Sequence, residues 1–339
     1  MIGRRFLPLL LAGDESLHVS VLVRELDRAM KHPRVTAIRG DLQTPHLGLD
    51  PATWRSLAAG LTGIVHCGAD IRFTRSIEES RAVNLAGTQT MLRLARESRK
   101  LERFAYIGTT YIMGRDTGEL PEREFCNANG FVNTYERAKY EAECAVLASL
   151  PQIPAAVFRL SSVAGAQSMY LRQVLRLIPR NPFPMIPGVA DYRIDLISDE
   201  WAAAALALLF QRHFRAGSVY HVCAGPERSI AVGMLVEMAC AAMGVDRPPV
   251  MVPLEEFERF KQRFLDNGER ELNKEILRSV SSFLPHLAID QTFQNARTMA
   301  LLQDDSIAPP GSVAVLRDEL IRLTGGSSRV PVPPREPVR

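Results

Sequence analysis

The sequence predicts an α/β protein built around a doubly wound parallel sheet, followed by a smaller, mostly helical part. Strand-like and helix-like segments alternate along roughly the first 245 residues, which is typical of a parallel sheet with helices on both faces. The strand-like segments are short, apolar and rich in Val and Ile, as buried parallel strands are. Beyond about residue 245 the alternation stops, which indicates a separate helical part.

The first elements each carry a local signal. Apolar residues recur at helical spacing in MIGRRFLPLLLA, so the chain opens with a helix that stops before Gly13. The next segment, HVSVLVR, has the composition of a strand. Together these patterns predict a strand at 18–24, an amphipathic helix at 25–32 and a second strand at 35–39.

Two later helix starts are marked by capping residues. Asp50 and Pro51 supply an N-cap and a first-turn proline for a helix that runs to residue 59. Ser76 and Glu79 form a capping box ahead of a long helix that reaches about residue 99. The remaining predicted strands are 63–69, 103–108, 154–160 and 218–222, and the remaining predicted helices are 135–150, 199–211 and 230–243.

The same alternation divides the chain into parts. Residues 1–165 form the predicted sheet domain, and 195–245 return to it. Residues 166–194 and 246–324 form the smaller, mostly helical part. The Pro-rich end, 325–339, is predicted to be disordered because it has too little apolar surface to pack.

Composition excludes several classes of function. The net charge of +3 is too small to indicate nucleic-acid binding. The most apolar run, 201–210, is too short to span a bilayer, and the first residues do not resemble a signal peptide. The five cysteines form no CxxC pair and no HExxH motif occurs. We therefore expect no metal site and a reducing, cytoplasmic compartment.

The strongest chemical signal is FVNTYERAKYEAE, where Tyr135 and Lys139 lie four apart on one helix face. A phenol has an ordinary pKa of about 10, and a neighbouring ammonium lowers it toward the range useful for proton transfer. Such pairs also occur as solvated neighbours on helix surfaces. Thr109 and Thr110 follow the predicted strand 103–108, where a hydroxyl would face a ligand, although a threonine there can also be purely structural.

Together these residues resemble the extended short-chain dehydrogenase/reductase family, which combines a strand-end Ser or Thr with Tyr-x-x-x-Lys on a Rossmann-type sheet. The resemblance covers residues 1 to about 245, with a weaker echo in FLPHLAIDQTFQNARTMALL. NTYERAKYEAE and MGRDTGELPE are similar to the thioester reductase and fatty-acyl reductase branch, known as male-sterility-like. One departure is Ala138, where this branch commonly has Ser, but the helix geometry that holds Tyr135 and Lys139 is unchanged.

The resemblance implies a reductase of an acyl thioester or related carbonyl, presented as a small molecule or on a carrier. It also makes the smaller part, 166–194 and 246–324, the predicted substrate-binding part. In that mechanism Thr109 polarises the carbonyl oxygen and Tyr135 supplies the proton. Lys139 holds the cofactor ribose and lowers the Tyr135 pKa, and Thr110 is the alternative to Thr109. The resemblance places the cofactor contacts at Gly3, Arg24, Asp41, Leu42, His66, Cys67, Gly68, Asn84, Tyr135, Lys139, Ser161, Ser162 and Val163.

Two other interpretations use the same residues. One is a sugar-nucleotide epimerase or dehydratase, or a hydroxysteroid-type dehydrogenase. Sugar-nucleotide enzymes usually carry SPY or TPY at the tyrosine, whereas this chain has Asn133 and Thr134 before it. The other is a cofactor-binding relative without catalysis. NADPH consumption with an acyl-CoA would distinguish a thioester reductase from a sugar-nucleotide or hydroxysteroid-type enzyme. Cofactor binding without turnover would support the non-catalytic relative.

The opening stretch departs from the family. Family members begin with a strand and a glycine-rich turn, and their first helix starts at the third glycine, which Gly3 matches. No GxGxxG or GxxGxxG motif occurs elsewhere. We therefore expect the central strand of the sheet to be absent, leaving two unpaired internal edges and weak dinucleotide binding. A truncated start and a degenerate, non-binding relative are the two explanations.

Cofactor choice depends on the end of the strand 18–24, where NAD-preferring family members place an acidic residue for the ribose hydroxyls. Here Arg24 stands at that point. A guanidinium there can pair with a 2′-phosphate, which favours NADPH. Glu25 beside it keeps NADH open, and a solvated Arg at a strand end is the plain alternative.

Overall fold

The computed structural model describes residues 2–165, 175, 184–266, 271–303 and 305–325. Its strands are β1 (Val19–Val23), β2 (Val35–Arg39), β3 (Gly63–His66), β4 (Arg103–Thr109), β5 (Gly118–Leu120), β6 (Ala155–Leu160), β7 (Ser162–Ala164), β8 (Met185–Pro187), β9 (Arg193–Ile194), β10 (Leu196–Ser198), β11 (Val219–Val222), β12 (Ile230–Ala231), β13 (Val250–Val252) and β14 (Gln291–Phe293). Its helices are α1 (Ile2–Gly13), α2 (Pro51–Gly60), α3 (Ile77–Asn84), α4 (Ala86–Glu97), α5 (Thr134–Leu147), α6 (Asp199–Gln211), α7 (Val232–Met243), α8 (Leu254–Asp266), α9 (Glu271–Val280), α10 (Ala296–Gln303) and α11 (Ser312–Thr324).

A four-stranded parallel sheet forms the centre of the molecule, in the order β11-β6-β4-β3. His66 at the end of β3 lies opposite Tyr106 on β4, and Thr109 at the end of β4 lies opposite Leu160 at the end of β6. The carboxyl ends of these three strands therefore meet at one edge of the sheet. The predicted parallel sheet with helices on both faces is confirmed.

Helices cover both faces of this sheet because its strand residues alternate between them. Ala105, Phe158 and Tyr220 face α1 and α6, where they pack with Phe6 and Phe210. The opposite face packs against α2, α4 and α5, and it contains Phe104, Tyr106, Val157, Trp54, Leu92 and Val146. Both faces are thus apolar, which explains why the central strands are continuous hydrophobic runs in the sequence.

The sheet is interrupted on one side. Strands β1 and β2 pair in parallel with each other, Val19 opposite Val35, and form a separate two-stranded sheet. Among the described residues, β1 pairs only with β2 and β3 pairs only with β4. Strands β1 and β3 thus each have one edge that pairs with no described strand.

A third core lies in the C-terminal part. It joins α7, α8 and α11, and its buried members include Val236, Phe257, Leu287, Leu316 and Leu320. Strand β11 returns to the central sheet, whereas α7 packs into this third core. The domain boundaries given above stay predictions, and residues 166–174, 176–183 and 326–339 of the predicted substrate part and tail lie outside the described residues.

Two predicted helices differ from the structure. The helix predicted at 25–32 is wrong, since the segment forms only a 3₁₀ turn at Leu26–Arg28. Leu26 and Met30 are exposed there, so no buried face stabilises a helix this short. The long helix predicted after Ser76 is two helices, interrupted at Leu85. No helix in the described part of the chain is long and apolar enough to cross a membrane.

Candidate active site

Thr109 and Tyr135 meet at the carboxyl edge of the sheet. Thr109 is the last residue of β4, and Tyr135 lies in the first turn of α5, whose N-cap Asn133 accepts a hydrogen bond from the Glu136 backbone N–H. The Thr109 side chain lies beside the Tyr135 phenol, close enough to influence its pKa. Phe73 packs edge-on against the Tyr135 ring, with the ring centroids 5.3 Å apart.

Burial sets the protonation of this phenol. It raises the Tyr135 pKa well above the ordinary value, and the neighbouring Thr109 side chain only partly opposes this rise. The phenol is therefore protonated at neutral pH and available as a proton donor. In this structure burial dominates the Tyr135 pKa and the Thr109 side chain is the one contribution that lowers it, so the expected effect of Lys139 stays a prediction.

The Lys139 ammonium points to the backbone of β4 instead. Its Nζ donates to the Ile107 carbonyl oxygen at 2.8 Å and lies 4.2 Å from the centroid of the Tyr106 ring. Burial lowers the Lys139 pKa to about 7, an effect that the nearby Glu143 carboxylate opposes. The Lys139 side chain lies on the same helix face as Tyr135, and its pKa is close to neutral pH. Its ammonium can bond another acceptor in place of the Ile107 carbonyl oxygen.

Thr110 differs sharply from its neighbour. Its side chain is fully buried, and its Oγ1 has no hydrogen-bond partner among the described residues. Thr109 instead accepts from the Tyr111 backbone N–H at 3.2 Å and contacts the phenol. The geometry favours Thr109 over Thr110 as the hydroxyl that meets a substrate.

Three predicted cofactor contacts line one cavity. A cavity of about 590 Å³ opens between the first turn of α1 and the end of β1, and Gly3, Arg24 and Cys67 are among its lining residues. A Cβ on Gly3 would come within 3.2 Å of the Cys67 Sγ, so the helix approaches the end of β3 closely. Arg24 is exposed and forms no ion pair with a described residue. Arg24 therefore places a positive charge without an ion-pair partner among the described residues at this cavity.

Five further predicted contacts are held within the neighbouring segments. Leu42 packs between Gly68 and Gly87, where an added Cβ would approach its side chain to 2.7 and 2.9 Å. Asn84 bonds both backbone groups of Asp70, and the Asp41 carboxylate accepts from the Gln43 backbone N–H. His66 is buried and bonds Thr88 through Nε2 at 2.9 Å. Burial lowers the His66 pKa to about 3, which keeps its ring neutral beside Lys139.

The segment after β6 also forms internal bonds. Ser161 donates to the buried Asp195 carboxylate at 2.5 Å, and the Asp195 oxygens also accept from two backbone N–H groups. Ser162 is bonded to the Tyr111 hydroxyl at 2.7 Å, and Val163 pairs with Ile197 in a short parallel ladder. The structure thus brings 161–163 to the same edge as Thr109.

Sequence reasoning missed three residues beside the Thr109–Tyr135 pair: Tyr111, Glu136 and His286. The Glu136 carboxylate is buried next to Tyr135 and accepts from His286 Nε2 at 2.7 Å. The His286 ring lies edge-on to the Tyr111 ring, with the centroids 4.7 Å apart. His286 lies in the stretch FLPHLAIDQTF. The weak resemblance of this stretch to the family is the one sequence feature that could have indicated a role for His286. Among the described residues no group of three or more His, Cys, Asp or Glu is arranged to hold a metal.

Comparison with known proteins identifies the family of the chain. A family model of NAD-binding proteins, described as Male sterility protein, matches residues 11–206. One of the subunits of the linear gramicidin synthase of Brevibacillus parabrevis is 30% identical over 149 residues, which make up 41% of this chain and 3% of that protein. The chain thus spans a small fraction of this relative.

Two solved structures show the same fold. The terminal R domain from the myxalamid PKS-NRPS biosynthetic pathway superposes with a TM-score of 0.74 at 19% identity, covering 95% of this chain and 88% of that one. The reductase (R) domain of a nonribosomal peptide synthetase from Mycobacterium tuberculosis gives a TM-score of 0.63 at 19% identity, covering 96% and 90%.

Proposed function

Because the chain belongs to the Male sterility protein family of NAD-binding proteins, we propose that it is a nicotinamide-dependent reductase of an acyl thioester. The observation that carries the proposal is the pair of neighbouring hydroxyls, Thr109 and Tyr135, at the carboxyl edge of the sheet. Ligands bind at this edge in open parallel sheets. The cavity lined by Gly3 and Arg24 also includes Cys67, which directly follows β3 of this sheet.

The two hydroxyls suit a carbonyl oxygen that gains negative charge. The bound dinucleotide would supply a hydride for the carbonyl carbon. Tyr135, kept protonated by burial, would donate its proton to the carbonyl oxygen, and Thr109 would donate a hydrogen bond to the same oxygen. Lys139 would release the Ile107 carbonyl oxygen and donate its hydrogen bond to the ribose of the dinucleotide instead.

The substrate class is supported by the relatives. Gramicidin synthase and both structural neighbours belong to assembly systems for peptides or polyketides, whose intermediates travel as thioesters on carrier proteins. A carrier-bound acyl thioester is therefore the proposed substrate. Arg24 supports NADPH over NADH, because it is an exposed cation without an ion-pair partner among the described residues, at the rim of the cavity.

The experiment is to mix the purified chain with NADPH and an acyl-CoA, follow NADPH consumption, and identify the aldehyde or alcohol formed. The same assay with NADH, and with the acyl group on a carrier protein, tests the finer parts of the proposal. Tyr140→Phe, on the same helix but outside the Thr109–Tyr135 pair, is the matched control for Tyr135→Phe. Cofactor binding without consumption of NADPH by any thioester would instead support a non-catalytic relative.

A further inference from the structure

We propose that His286 is a positioning residue: by bonding Glu136, it fixes the first turn of α5 and so aims the Tyr135 phenol. The kinetic half of this inference rests on the proposed function, and its structural half does not. His286 belongs to the C-terminal part of the chain, whereas Glu136 directly follows Tyr135 in α5. The bond therefore joins the predicted substrate-binding part to the proton donor.

The Glu136 carboxylate organises the start of the helix. One oxygen accepts from the Val132 backbone N–H at 2.9 Å, and the other accepts from the Asn133 side-chain amide at 2.8 Å and from His286 Nε2 at 2.7 Å. Asn133 is also the N-cap of α5. The buried carboxylate of Glu136, the residue after Tyr135, thus holds Val132 and Asn133, which precede Tyr135.

Two independent contacts tie this turn to the C-terminal segment. Besides the His286 bond, the Asn133 side-chain amide donates to the Ser282 carbonyl oxygen at 3.1 Å. The His286 ring also packs edge-on against Tyr111, whose hydroxyl bonds Ser162. The segment from 282 to 286 consequently contacts the helix start and the residue two positions after Thr109.

Histidine is a costly choice at this position if packing were its only role. The side chain is 4% exposed, and its Nδ1 has no hydrogen-bond partner among the described residues. An apolar side chain would leave no such unsatisfied atom. What His286 adds is the Nε2 donor to Glu136, whose carboxylate would otherwise be buried with one donor fewer. This bond is the feature on which the inference depends.

The test compares His286→Leu with His286→Gln, whose amide can still donate to Glu136. Leu287→Ala is the matched control, because Leu287 is buried next in sequence but packs in the C-terminal core. Since small misplacements of a catalytic group cost up to about a hundredfold in rate, we expect His286→Leu to lower kcat by at least tenfold with NADPH affinity and KM little changed. His286→Gln should recover most of kcat, and Leu287→Ala should keep it.

A second measurement needs neither substrate nor cofactor. Amide hydrogen exchange in the first turn of α5, at 134–138, should accelerate in His286→Leu and stay near the wild-type rate in Leu287→Ala. Unchanged exchange and unchanged kcat in His286→Leu would overturn the inference, as would equal losses in His286→Leu and His286→Gln. If the wild type turns over no thioester but exchange still responds, the proposed function fails and the positioning role stands.

Discussion

The hydroxyl of Thr109, at the end of β4, lies beside the phenol of Tyr135, in the first turn of α5, and lowers the pKa of that phenol. The sheet fixes the first residue and a capped helix fixes the second, so both groups are placed before a substrate arrives. Such preorganised donors stabilise developing charge without having to reorganise during the reaction. The two neighbouring hydroxyls therefore mark the proposed site of the chemistry.

Replacing the phenol tests the proton donor. Tyr135→Phe removes the hydroxyl and keeps the ring that packs against Phe73. We expect thioester reduction to fall by at least about a hundredfold, within the range for a positioned acid, while NADPH affinity changes within a few-fold. Stopped-flow kinetics and fluorescence titration measure the two quantities. Normal turnover in Tyr135→Phe, with Tyr140→Phe as the control, would remove Tyr135 from the mechanism.

The two adjacent threonines should respond in opposite ways. Thr109→Val deletes the hydroxyl that contacts Tyr135 and is expected to lower kcat strongly. Thr110→Val replaces a buried hydroxyl that has no partner among the described residues, so activity should be retained and the free energy of unfolding should stay equal or rise. Steady-state kinetics and urea unfolding on both variants measure these effects. A larger kcat loss in Thr110→Val would exchange the two roles.

Cofactor preference should depend on Arg24. If its guanidinium pairs with the 2′-phosphate, Arg24→Ala should weaken NADPH binding by about 1.5–3 kcal/mol, the usual contribution of a hydrogen bond to a charged group. NADH binding should barely change. Calorimetry with both dinucleotides measures this, and Arg99→Ala, an exposed arginine just after α4, is the control. Equal losses for NADPH and NADH would mean that Arg24 has a structural role.

The buried Lys139 should make stability depend on pH. Its pKa falls from 10.5 in the unfolded chain to about 7 in the folded one, so between these values the unfolded state binds more protons. The free energy that the fold loses by burying the charged Lys139 is largest below pH 7, and this loss decreases as the pH rises. Relative to Lys139→Met, the wild type should gain about 2–3 kcal/mol between about pH 6 and 9. Urea unfolding at several pH values tests this, and the exposed Lys100→Met should show no such divergence.

The unpaired edges of β1 and β3 should accept an additional strand between them. Adding an apolar strand and a T-G-x-x-G turn before Met1 would supply a partner for both unpaired edges. We expect a higher Tm and tighter NADPH binding, with about 2.7 kcal/mol of added stability at a hundred times Kd. An extension of equal length with prolines in the strand cannot pair and is the control. A full NADPH shift already present in the unextended chain would contradict this account.

The sequence alone determined the order and type of most elements, because their signals are local. Asp50 caps α2, and Ser76 and Glu79 form the predicted capping box of α3. The spacing of Tyr135 and Lys139 on one helix also needed no tertiary information. These features depend on residues within a turn or two of each other, where periodicity and capping chemistry act directly.

The tertiary structure decided what depends on distant neighbours. The predicted helix at 25–32 is only a 3₁₀ turn, since nothing packs over Leu26 and Met30. Lys139 turned to the Ile107 carbonyl, and burial raised the Tyr135 pKa that a lysine was expected to lower. His286 reached Glu136 only through the folding of the C-terminal part. Burial and contacts between remote segments set these outcomes, and no local pattern in the sequence encodes either.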